Sequence, residues 1–324
     1  MLMAENSNVT NREILKEGLP WYWWFHGVSA VTSVLGNLLV IFLILTRSSL
    51  RTTPNWFVLS LAVADFLVGA VVFPLRLVFE VVFQNRPTSN YFVNVVDYFL
   101  LKASMTNLCV LTLNRYLSIM YPLKHVYLKK KYNVIKLILT AWFIAFLFPL
   151  IFLLLNLFVK DALIKRYYIM FLLIFLEIVP CVALTLAYLH IIYFARRQRE
   201  QIKKQKSQLK HNYPTRRVKE RYKKNKTMIR VLGGVIGFFV LSYLVDISRV
   251  WLKYIDLNEA TNTSLLSKIS FLLLYANSAV NVFFYGLFKK DFRAEIWKMF
   301  CELFSRGKDP SRSFFSAEKK TTKL

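Results

Sequence analysis

Residues Ser104–Leu123 read SMTNLCVLTLNRYLSIMYPL. An apolar helical run leads to Asn114-Arg115-Tyr116, resumes, and ends at Tyr121-Pro122-Leu123. A guanidinium at the end of an apolar helix is costly in lipid and is tolerated where it faces a bundle interior or a polar interface. The stretch therefore predicts a membrane helix whose end carries a functional arginine.

The rest of the chain fits that reading. Its 324 residues are 56% hydrophobic and 16% aromatic, yet the formal net charge is +26. A soluble domain is rarely so apolar and so basic at once. Apolar spans in lipid and basic residues in loops reconcile the two. Seven runs are long enough to cross about 30 Å of hydrocarbon, near 22–46, 55–82, 91–121, 133–159, 166–195, 227–254 and 266–288. The runs are continuous rather than alternating, so helices satisfy the backbone and a barrel does not. Lys and Arg number 2 near 46–54, 4 near 117–132, 15 over 196–230 and 10 from 289 onward, which is 31 of the 44. All four stretches lie on one side, which is then cytoplasmic, with the N-terminus outside. The sequons at Asn8 and Asn262 fall on the outer side and are the expected glycosylation sites, whereas Asn225 falls inside.

The flanks complete the expected organisation. Residues 1–21 form an extracellular tail without the apolar core of a cleavable signal, so the first span serves for insertion. Phe292, Ile296, Phe300 and Leu303 or Phe304 recur at helical spacing over 289–304, which predicts an amphipathic helix on the inner leaflet. Cys301 there is a candidate for palmitoylation or an unmodified thiol. Residues 305–324 are polar and expected to be disordered. Cys109 and Cys181 lie in apolar runs and Cys301 near the end, so no outer disulfide is expected.

Motifs along these spans together resemble those of rhodopsin-like (class A) G-protein-coupled receptors. Asn114-Arg115-Tyr116 with Pro122 is similar to the (D/E)RY pattern ending the third helix. Gly36-Asn37, Leu61-Ala62-Val63-Ala64-Asp65, Trp142, Pro180 with Tyr188, Asn277-Ser278 and Asn281-Val282-Phe283-Phe284-Tyr285 follow in the family's order. The resemblance covers 22–304 and implies an all-α membrane protein, a seven-transmembrane-helix bundle plus a short amphipathic cytoplasmic helix. It implies a plasma-membrane receptor whose sixth helix opens to admit a heterotrimeric G protein, with Arg115, Tyr116, Tyr188, Tyr285 and Asn281 in coupling. It also implies a sodium ion at Asp65, supported by Ser104, Asn277, Ser278 and Asn281. The oxygen donors suit a hard cation, and the other reading is a water-filled network around a protonated Asp65.

The departures carry information too. Tyr243 stands for the sixth-span tryptophan, and Val245 and Val282 stand for prolines. Gly233, Gly234 and Gly237 offer a displaced hinge, and Gly233 with Gly237 also reads as a close-packing face, within the bundle or between copies. Asn114 replaces the acid that restrains the arginine in relatives, and Asn225 replaces a second acid. Raised ligand-independent signalling is the expectation.

At the outer end, Asp97 and Tyr275 match the amine-binding pair of aminergic receptors. A carboxylate facing a hydroxyl suits a desolvated ammonium. Leu172 and Leu176 stand where catecholamine receptors carry serines, and Asp246 where an aromatic lines the ring. Arg76, Glu80, Lys102, Glu177 and Arg249 add charge, with Lys102 and Glu177 able to face each other across the third and fifth spans. These charges either bridge one another or bind a zwitterionic or peptide ligand, so the ligand set is Asp97, Tyr275, Asp246 and Lys102, for a biogenic amine or another charged ligand. The family's retinal-binding members carry a lysine at the place of Tyr275, so photoreception is not expected. A transporter or channel lining of Asp65, Lys102 and Glu177 is the other membrane reading, weakened by the absence of repeats. The histidines His26, His125, His190 and His211 show no metal spacing, so an enzyme is not expected. The positive charge is topological, the basic 196–230 stretch is expected to touch the G protein or anionic inner-leaflet lipid, and no nucleic-acid partner is expected.

Overall fold

A computed structural model describes residues 21–81, 87–121, 130–208, 215–254, 264–288 and 290–306. Among them every long element is a helix. Helix α1 is Trp21–Thr46; α2 begins as Thr53–Leu67, passes a π turn at Val68–Val72 and continues as Phe73–Val81; α3 is Pro87–Met120; α4 is Lys131–Phe158. Helix α5 begins as Ala162–Leu173, passes a π turn at Ile174–Ile178 and continues as Val179–Gln208; α6 is Thr215–Tyr254, α7 Ser264–Phe288 and α8 Lys290–Arg306. Seven of these are long and apolar enough to span a membrane. The glycosylation candidates Asn8 and Asn262, residues 1–20 and residues 307–324 lie outside the described residues.

Local chemistry sets the ends and irregularities. Pro54 opens α2, where a missing N–H costs nothing. Asp161 caps α5 by accepting the Leu163 N–H at 2.8 Å. Each π turn ends two residues before a proline, Pro74 or Pro180. A proline inside a helix lacks its N–H and its ring strikes the carbonyl four residues back; the widened turn relieves both. Helices α5 and α6 overrun their apolar spans, to Gln208 and from Thr215, because the Lys, Arg, Gln and Glu there are good helix formers.

Packing closes a ring. Helix α1 lies against α2 and α7, α3 against α2, α4 and α5, and α6 against α5 and α7. The side-chain distribution is inverted relative to a soluble protein. Leu139 and Phe143 are each 63% exposed on α4, while Asn37, Asp65, Asn107 and Asn281 are buried. Lipid accepts the first group, and the interior must satisfy the second. Asn37 donates to the Ser33 carbonyl at 2.8 Å and the Ser278 carbonyl at 3.3 Å, joining α1 to α7. Trp142 donates to Ser60 at 3.0 Å and Ser60 to Asn107 at 2.6 Å, joining α4, α2 and α3.

Helix α8 docks with Phe292 buried and Ile296 and Met299 packed on the core. Trp297, Phe300 and Cys301 face outward, so Phe300 belongs to the outer face rather than to the docked one with Phe292. Arg47 forms a bidentate pair with Glu302, at 2.6 and 3.2 Å, and that hydrogen-bonded carboxylate raises its pKa further. Lys298 and Ser49 donate to Glu295, each at 3.0 Å, and lower its pKa. A depressed carboxylate stabilises docking above its ordinary range and loses that contribution as pH falls through the lowered value.

Glycines mark the closest approaches. A Cβ at Gly69 would lie 2.8 Å from the Ala30 carbonyl oxygen, which is α1 backbone, whereas one at Gly237 meets nothing within 4 Å. Gly69→Ala should therefore lower the thermal unfolding midpoint through overpacking of about 1–3 kcal/mol. Gly237→Ala should hold or raise it, by up to about 1 kcal/mol of helix propensity. Unfolding of the two purified variants, followed by fluorescence, checks the ordering.

Candidate functional site

Polar side chains form three levels inside the ring, called upper where α1 begins and lower where α8 lies. The middle level centres on Asp65, which has no exposed surface. Ser104 on α3 donates to its Oδ1 at 2.6 Å, and Asn281 on α7 donates to its Oδ2 at 2.8 Å. Ser278 sits beside the same carboxylate. The oxygens Asn277 Oδ1, Ser278 Oγ and Asn281 Oδ1 are buried and have no hydrogen-bond partner among the described residues. Buried acceptors without donors ask for a cation or water, and an all-oxygen donor set fits a hard cation such as sodium. Asn277 lies one helical turn above Asn281, and no contact places it on Asp65.

The upper level is built from three ion pairs. Arg76 on α2 donates its Nε to Asp97 Oδ2 at 2.8 Å, with a terminal nitrogen closer still. Tyr275 on α7 donates to the same oxygen at 2.9 Å. Asp97 Oδ1 is buried and without a partner among the described residues. Lys102 on α3 donates to Glu177 on α5 at 2.7 Å and lies 5.0 Å from the Tyr243 ring. Asp246 accepts from Arg249, one turn along α6, at 2.7 Å and from Ser270 on α7 at 2.6 Å. Both Arg76 and Arg249 lie 4.8 Å from the centre of the Phe271 ring. Guanidinium over an aromatic face is favourable, more so when desolvated.

The lower level faces α8. Tyr116 on α3 hydrogen-bonds His190 on α5 at 3.0 Å. Tyr188 packs where Gly233 has no side chain, since a Cβ there would sit 1.9 Å from its hydroxyl. Phe284 of α7 fills the equivalent space at Gly234, 2.1 Å from where its Cβ would stand. Gly233 and Gly234 are thus seats for α5 and α7 inside the bundle. Gly237 meets no neighbour and does not extend that surface. Asn114 is buried, and both it and Arg115 are engaged by other groups. The side chains of Tyr285, Asn225 and Glu80 lie outside the described set.

A family model described as "7 transmembrane receptor (rhodopsin family)" matches residues 36–285. The chain belongs to the rhodopsin-like receptor family. The mouse histamine H1 receptor is 33% identical over 132 residues, 40% of this chain and 27% of that receptor. The human histamine H1 receptor is 32% identical over 133 residues, with the same two shares. The alpha-1A adrenergic receptor of Oryzias latipes is 30% identical over 119 residues, 36% of this chain and 25% of that receptor. Each match thus spans about a quarter of the relative's length. The protein is a multi-pass membrane receptor with aminergic similarity, not an enzyme.

The receptor brings Asp97 and Tyr275 together across α3 and α7, and Lys102 opposite Glu177. It places Asp246 in a closed pair within α6. Arg76 as the partner of Asp97 was not legible, because seven charges in the upper half allow several pairings and helix rotation is not encoded in spacing. The Asp246–Arg249 pair carried a signal, an acid three residues before a base on one helix face. Glu177 and Lys102 are each only 8% exposed, so either alone would be a buried, uncompensated charge. Lys102→Met or Glu177→Leu singly should cost about 3–5 kcal/mol, and the double variant should recover most of it. A double-mutant cycle on thermal unfolding midpoints measures this.

Proposed function

We propose that this receptor binds an extracellular ligand at its upper level and activates a heterotrimeric G protein by opening the lower end of α6. The hydrogen bond from Tyr275 to Asp97 carries the proposal, because it links α3 and α7 where a ligand would act. Helix α7 also carries Asn281 on Asp65 and Phe284 against Gly234, so a displacement at its upper end reaches both lower levels. The ligand works by binding the open arrangement more tightly than the closed one. In the open form Tyr188 leaves its seat on Gly233, and Arg115, Tyr116, Tyr188 and Tyr285 face the G protein.

The N-terminus lies outside and the chain resides in the plasma membrane, with Asn8 and Asn262 glycosylated. Cys301, exposed beside Trp297 and Phe300, is the palmitoylation site, and the outer face of α8 rests on lipid. A sodium ion held by Asp65 with Ser104, Ser278, Asn281 and Asn277 would neutralise the buried carboxylate and favour the closed arrangement.

Asp97 would hold an amine in the manner the aminergic likeness implies, but Arg76 already occupies its Oδ2. Two cations 4 Å apart repel by about 4 kcal/mol at an effective dielectric constant of 20. A simple monoamine must displace the guanidinium or bear that repulsion, which favours a charged ligand of another kind.

With an amide at Asn114 in place of an acid, ligand-independent nucleotide exchange should be measurable and should fall in Asn114→Asp. Arg115→Ala at equal surface expression should abolish it. Exchange that is unaltered by both substitutions would refute coupling through this end. Sodium should raise the unfolding midpoint relative to choline, and Asp65→Asn should remove that difference; equal midpoints in both salts would dismiss the ion.

A further inference from the structure

We infer that the ligand is a zwitterion of the α-amino-acid type, its ammonium on Asp97 and its carboxylate on Arg76, and that Arg76 is the residue that excludes simple monoamines. The inference rests on the receptor reading for its location only.

Charge balance comes first. Among the described residues the upper level holds three acids, Asp97, Glu177 and Asp246, each paired with one base, Arg76, Lys102 and Arg249. These three pairs are neutral among themselves before any ligand arrives. A bare cation or a bare anion would leave an uncompensated charge in a poorly screened site, and such charges are expensive to bury. A zwitterion adds both signs and leaves the sum unchanged.

Unused hydrogen-bonding capacity comes second. Asp97 is 2% exposed, its Oδ2 takes Arg76 and Tyr275, and its Oδ1 has no donor among the described residues. A buried carboxylate oxygen in that state accepts a further charged donor. A guanidinium has five N–H donors in a planar fork. The Nε–H and one terminal nitrogen of Arg76 serve Asp97, which leaves donors for a second carboxylate. The Arg76 side chain is 26% exposed while Asp97 is covered, so the acceptor for Arg76 is within reach from outside. Ammonium and carboxylate on one carbon match a donor-hungry oxygen and an acceptor-hungry fork held together by a hydrogen bond.

Aromatic rings stand beside the pair, with the Arg76 guanidinium over Phe271 and Tyr275 on Asp97. Phe271 and Tyr275 have ring centres 6.2 Å apart, His26 is 5.1 Å from Tyr275, and Trp23 is 6.1 Å from Phe73. Phenylalanine, phenethylamine and 3-phenylpropanoate share one body and differ only in charge.

The test measures direct binding to the purified full-length receptor in lipid nanodiscs, by the rise of the unfolding midpoint with ligand concentration. Wild type should be stabilised by phenylalanine and not by phenethylamine or 3-phenylpropanoate. Arg76→Gln should weaken phenylalanine on the order of a hundredfold and gain phenethylamine. Arg76→Lys, which keeps the charge and loses the fork, should weaken phenylalanine without admitting the amine. Asp97→Asn should lose phenylalanine, and added to Arg76→Gln it should lose phenethylamine as well. Stabilisation of wild type by phenethylamine at least as strong as by phenylalanine overturns the inference, and so does no response to any of the three. Basal nucleotide exchange, measured on the same preparation, is unaffected by a negative binding result, so failure of the ligand class and failure of the coupling reading are told apart.

Discussion

A carboxylate with no exposed surface holds this bundle in register. Asp65 takes hydrogen bonds from α3 through Ser104 and from α7 through Asn281, while Ser33 on α1 donates to its backbone carbonyl at 2.8 Å. One residue of α2 therefore fixes four helices relative to one another. In lipid there is no hydrophobic force between helices, and association relies on close packing and interhelical hydrogen bonds. The core of Leu43, Ile44, Leu61, Met105 and Leu108 supplies the first, and the Asp65 network supplies direction. Polar groups that are costly anywhere else in the membrane specify which faces turn inward.

The same economy governs the upper level. Buried ion pairs seldom stabilise a protein more than apolar packing would. Three of them within one end of a bundle hold only while each acid keeps its base. The pair from α2 to α3 closes the position that the aminergic likeness would leave for a ligand. The pair within α6, tied to Ser270, fastens α6 to α7 at the upper end. A ligand that rearranges either pair changes how the helices lean on each other.

Much of this was legible beforehand, for physical reasons. Lipid imposes a span length and a polarity, so seven runs and their order could be read directly. Lys102 and Glu177 could be matched because opposite charges within neighbouring spans have few other ways to be accommodated. Asp97 and Tyr275 followed from the family likeness. Other features were hidden. Hydropathy marks where lipid ends and not where a helix ends, so the continuation of α5 to Gln208 was missed. His190 looked like one of four scattered histidines, yet folding sets it against Tyr116. The Phe292 stripe was visible, but which of its members would dock depended on Arg47 and Ser49, distant in the chain, which fasten Glu302 and Glu295.

The π turn in α2 has an effect on how side chains are aimed. It lodges a surplus residue in the rod, and every position beyond it is set back by about 100° around the axis. Arg76 stands eleven residues after Asp65, a spacing that in an unbroken α-helix repeats the same face. With the slip, the guanidinium is rotated off the meridian of Asp65, and it meets Asp97 of α3. The equivalent slip in α5 runs through Glu177 itself. Counting residues along these two rods thus misassigns azimuth above the slip, and the upper half of the receptor has a compass bearing of its own, independent of the half below.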